Sequence, residues 1–153
     1  MKVLLFSFSF FLIAGIGFAQ KGDTSKRKKN EPKSIISEGV SIKKYHTNEE
    51  LYDMQKGELL LLYKERIESL IRTLPYIAFA TKPGVTMSTL GIPNDSDNRK
   101  LLEGQFDATD DFIESNSEFQ NIILPYSDTS NLVAAILFYE EIMKTLHEYS
   151  EFH

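Results

Sequence analysis

The chain has 153 residues, 42% of them hydrophobic and 25% charged, which fits one globular domain and excludes a disordered or fibrous chain. With no cysteine, disulfides, thiolate zinc sites and a cysteine-linked lipid anchor are all excluded, so stability must come from packing. The net charge of -5 conceals an asymmetry: residues 20–44 hold eight basic and three acidic side chains, residues 45–153 eight and nineteen.

In chain order, Lys2 and the nearly unbroken apolar run 3–18 read as an export signal, with Gly17 and Ala19 small enough for cleavage after Ala19. The run is shorter than the roughly 20 residues a spanning helix needs, so no stable membrane anchor is expected after cleavage. A cysteine-free exported protein points to the periplasm or exterior of a bacterial cell. Residues 20–47, with the basic run Lys26, Arg27, Lys28 and Lys29, are expected to form a mobile arm, with a short extended piece over 34–45.

Residues 48–153 are expected to form an all-α domain, a three- to four-helix up-and-down bundle. Asn48 caps a first helix with Glu49 and Glu50 in its first turn. Leu59, Leu60, Tyr63, Ile67, Leu70, Ile71 and Leu74 share its apolar side, and Pro75 ends it. Residues 81–94 form the longest break, with a type II turn expected at Pro83-Gly84 and closure at Gly91 and Pro93. A helix over 97–124 carries Leu101, Leu102, Phe106, Phe112, Ile113, Phe119, Ile123 and Leu124 on one broad side, with Gly104 weakening its continuity. Ser127, Asp128 and Ser130 offer caps for a last helix to residue 149. Residues 132–139 are apolar almost all round, which marks this helix as the centre of the core, and Glu140, Glu141, Lys144 and Glu148 form its wet side. The tripeptide Leu-Pro-Tyr recurs at 74–76 and 124–126 without further repeat.

The sharpest chemical feature is acidic. Asp107, Asp111, Glu114 and Glu118, spaced 4, 3 and 4, share one helix face, and Glu103 extends the row. Like charges at that spacing oppose helix formation by about 0.2–0.5 kcal/mol per pair, so the row is either a solvated face or a docking face for something basic. A rigid helix cannot wrap calcium in six or more oxygens, whereas the chain's own Lys26, Arg27, Lys28 and Lys29, or a partner's basic segment, can answer the charge.

The three histidines, His46, His147 and His153, lack metal-pair spacing, and no phosphate-cradling loop or nucleophile elbow occurs. No cofactor is implied, and the acidic body disfavours nucleic acid. Lys82, Pro83, Gly84, Gly91 and Pro93 mark a candidate recognition loop. The leading expectation is a non-enzymatic interaction module for another envelope or secreted protein, as accessory subunit or inhibitor. A small-ligand-binding bundle is second, and an enzyme of unrecognised type third.

Overall fold

Short capping sequences and two prolines divide the described residues into four α-helices. The structure is a computed structural model that describes residues 32–37, 39–40 and 42–151. The expected export signal and the basic run Lys26, Arg27, Lys28 and Lys29 lie outside the described residues. Helix α1 spans Asn48–Tyr52, α2 Lys56–Thr73, α3 Ser96–Ile123 and α4 Thr129–Glu151. The chain is mostly helical, and no strand occurs among the described residues.

The first predicted helix is two. Thr47, not Asn48, is the cap: its side chain accepts from Glu50 N, and the Glu50 carboxylate accepts from Thr47 N. The chain then breaks at Asp53 to Gln55 and restarts where Gln55 N donates to Glu58 Oε2 at 2.8 Å. At the far end, Pro75 cannot donate the next helical hydrogen bond, and Leu74–Tyr76 tightens into a 3-10 turn. The second Leu-Pro-Tyr does the same after α3, at Leu124–Tyr126. Helix α3 is capped by Asp95, which accepts from Asp97 N and Asn98 N, and it runs unbroken through Gly104.

Helix α2 carries the main contacts to both long neighbours, and α4 supplies Leu132, Val133, Ile136 and Met143 to the core. Against α4 the partners advance together, Tyr63 with Tyr139 and Arg66 with Glu140, so the two run parallel. Against α3 they run in opposite senses: Lys64 meets Asn121 and Arg72 meets Asp110. Leu51, Leu59, Leu132, Val133 and Ile136 form one core cluster, and Ile42, Leu70 and Met143 another.

The expected mobile arm needs correction over its described part. Ile35, Ile36, Val40 and Ile42 are buried. Ile35, Ile36 and Val40 join Tyr76, Ala80 and Leu102 in a third cluster, against which Val85, Met87 and Phe106 pack. Ile35 N donates to Val85 O at 2.8 Å and Gly84 N to Ser34 Oγ at 2.9 Å, so the segment and the 81–94 loop hold each other. Gly84 has φ +105, the left-handed position a type II turn needs, and Gly91 at φ +75 closes the 3-10 turn Ser88–Leu90. The basic composition of residues 20–44 masked four apolar side chains, each worth about 1.5–3 kcal/mol when buried.

Candidate interaction face on α3

The strongest buried group lies where the wet side of α4 was expected. Glu140 is only 3% exposed, and three groups from Arg66 and His46 meet its carboxylate. Arg66 Nε donates to Glu140 Oε1 at 2.7 Å, and His46 N to Oε2 at 2.6 Å. His46 Nδ1 lies 2.9 Å from Oε1, the Arg66 fork also reaches Lys44 O at 2.7 Å, and Arg66 Nη1 donates to Glu65 at 2.8 Å. The Tyr45 hydroxyl is 2.9 Å from His147 Nδ1. Burial raises the Tyr45 phenol above its ordinary value, with the nearby Glu140 charge adding to the effect and Arg66 opposing it. These contacts stitch residues 44–46 to α2 and α4. The cluster fastens the fold.

A neighbouring pair supplies a pH-dependent term. Burial, and then the hydroxyl of Tyr63 at 3.3 Å, push the Tyr139 phenol up to about 12. The unfolded chain therefore loses this proton near pH 10 and the folded chain later. The resulting stabilisation is fully present below about pH 10 and is lost as pH rises through about 12. Near-ultraviolet titration of tyrosinate is expected to show a step near pH 12 that Tyr139→Phe removes; an unchanged step there would assign it elsewhere.

Helix α3 shows three faces. Leu102, Phe106, Thr109, Ile113 and Gln120 turn inward, and its anchor to α2 includes Arg72 Nη1 to Asp110 Oδ1 at 2.6 Å. The eight apolar residues expected on one broad side do not share a face. Leu101, Phe112, Phe119 and Ile123 are exposed, Leu101 by 72%, Phe112 by 57% and Phe119 by 61%. Ile122, at 68%, lies beside them. The apolar arc is wider than a single neighbour can cover, and α2 with the 32–40 segment covers only part of it.

The acidic row forms the third face. Asp107, Asp111, Glu114 and Glu118 are all exposed, while Glu103, at the end of the row, pairs with Lys33 at 2.7 Å. Among the described residues, no ion pair joins the other four carboxylates to a lysine or arginine. Sequence periodicity located the row but merged the outward apolar stripe with the core.

The candidate recognition loop lies elsewhere. Lys82, Gly84, Gly91 and Pro93 are exposed and Pro83 is half-buried. Lys82, Val85, Thr89 and Leu90 line an open cleft of about 700 Å³ whose other wall includes Phe79, Leu146 and Tyr149. Among the described residues, no group of three or more His, Asp or Glu side chains is placed to hold a metal ion, and no helix is long and apolar enough to cross a membrane. The chain matches no protein-family model, no curated protein and no solved structure.

Proposed function

We propose that the chain is an exported, non-enzymatic interaction module of the periplasm or cell exterior. In this reading an up-and-down helical scaffold offers the outer face of α3 to another protein, as accessory subunit or inhibitor. The observation that carries the reading is the outward stripe of Leu101, Phe112, Phe119 and Ile122, large apolar side chains left to water along one helix and bordered by the acidic row. Several large apolar side chains exposed along one face and bordered by charge are a common mark of a protein contact. The acidic row is the docking face for a basic segment of that partner.

A second reading, a small-ligand site, is supported by the 700 Å³ cleft, whose size falls in the range of ligand pockets. It ranks behind because the cleft is open and its lining offers Thr81, Lys82 and Thr89 as the main polar groups rather than a convergent buried set.

A photo-activated crosslinker at Phe119 in the producing cell tests the first reading, with Leu90 in the cleft wall as the comparison position. Capture of one envelope or secreted protein in stoichiometric yield from Phe119, and not from Leu90, is the expected result. Phe112→Ala with Phe119→Ala should abolish co-purification of that protein while changing stability by no more than about 0.5 kcal/mol per site. Recovery of the chain without any partner from Phe119 would overturn the interaction reading.

A further inference from the structure

The outward face of α3 carries a pattern finer than exposure alone. Leu101, Gln105, Ala108, Phe112, Ser115, Phe119 and Ile122 follow one another at alternating spacings of 4 and 3, and all are exposed. That alternation is the spacing of a coiled-coil seam, with Leu101, Phe112, Phe119 and Ile122 as its large apolar positions and Gln105, Ala108 and Ser115 between them, and it keeps to one side of the helix for about 31 Å. The two edges of the seam differ. One, with Leu102, Thr109 and Asn116, turns toward the chain's own body; Leu102 and Thr109 are buried and Asn116 is half-buried. The other carries Asp111 and Glu118, with Asp107 and Glu114 behind them.

We infer that this seam takes an amphipathic helix of another protein whose accessible edge is basic. The inference rests on the interaction reading above and names the partner's chemistry. A helix is indicated because knobs at 4-3 spacing need a partner with the same period. A basic edge is indicated because lysine and arginine can lay their methylene stems over Phe112 and Phe119 while their charges meet Asp111 and Glu118.

A second copy of the chain does not meet these requirements. Antiparallel two-fold pairing sets the Asp111 and Glu118 edge against itself, like charge on like. Parallel pairing directs that edge toward Leu102, Thr109 and Asn116, which the partner's own body already occupies.

The test titrates the chain with two synthetic amphipathic helices, identical in a leucine seam and differing only in a lysine or a glutamate edge, and reads the Kd by fluorescence anisotropy. The lysine-edged peptide is expected to bind at least about tenfold more tightly, less so as salt is raised. Asp111→Lys with Glu118→Lys should reverse the preference. Phe112→Ala with Phe119→Ala should weaken binding about tenfold or more. Equal binding of both peptides, lost in the phenylalanine variant, would overturn the basic edge while leaving the interaction face standing. Binding of neither would overturn the helical partner, whatever the crosslinking result. Self-association in sedimentation, abolished by the same variant, would assign the seam to a second copy instead.

Discussion

Glu140→Ala is expected to lower the unfolding free energy by about 3 kcal/mol, the low end for breaking a buried pair, because the buried Arg66 guanidinium loses its one buried carboxylate and keeps only that of the exposed Glu65. A domain of this size is held by only about 5–15 kcal/mol in total, so the variant should approach the edge of folding. The loss is not the worth of one salt bridge. Glu140 accepts from Arg66 Nε and from the His46 backbone amide, and His46 Nδ1 lies against it as well, so its removal strips three groups at once. Replacing the ionic pair together, Arg66→Met with Glu140→Leu, should recover much of the loss, since a well-packed apolar pair avoids the cost of desolvating two charges. Urea denaturation of the three chains measures both effects. A loss under about 1 kcal/mol for Glu140→Ala would mean that this carboxylate is solvated and contributes as an exposed ion pair does.

The same residue shows where sequence periodicity stops. Glu140, Lys144 and Glu148 lie one turn apart on α4, so a helical wheel groups them, and only the presence of Arg66 on α2 separates the first from the others. Arg66 stands in the run Leu59, Tyr63, Arg66, Leu70 at spacings of 4, 3 and 4, a polar residue in an apolar seam. That run was visible in the sequence and points to a buried charge; its partner, 74 residues away, was not. Local signals did better. The two Leu-Pro-Tyr stops, the cap region before α4 and the Pro83-Gly84 turn follow from the chemistry of a few neighbouring residues. The α3 face was half legible: the acidic row follows from spacing, whereas the division of eight apolar residues between core and water depends on which neighbours α3 has.

Ile36→Ala is expected to cost about 2–5 kcal/mol, the range for emptying a fully buried aliphatic site. Ile36 is 1% exposed and packs in the cluster that includes Tyr76, Ala80 and Leu102, between the end of α2 and the start of α3. Its neighbours are held in place by the backbone bond from Ile35 N to Val85 O and by Ser34 Oγ at Gly84 N, so the cavity has little freedom to collapse. The comparison variant is Leu61→Ala, on α2 but 66% exposed, where the change should stay within about 0.5 kcal/mol. A segment that only tethers a basic arm would make the two variants alike. A large loss at Ile36 with none at Leu61 would mean that the cooperative unit includes the 32–47 segment, and that Ile35, Ile36, Val40 and Ile42 close the core. Trimming the chain at Asn48 would then remove part of the fold rather than an appendage, which limits where a minimal version of the α3 face can be cut.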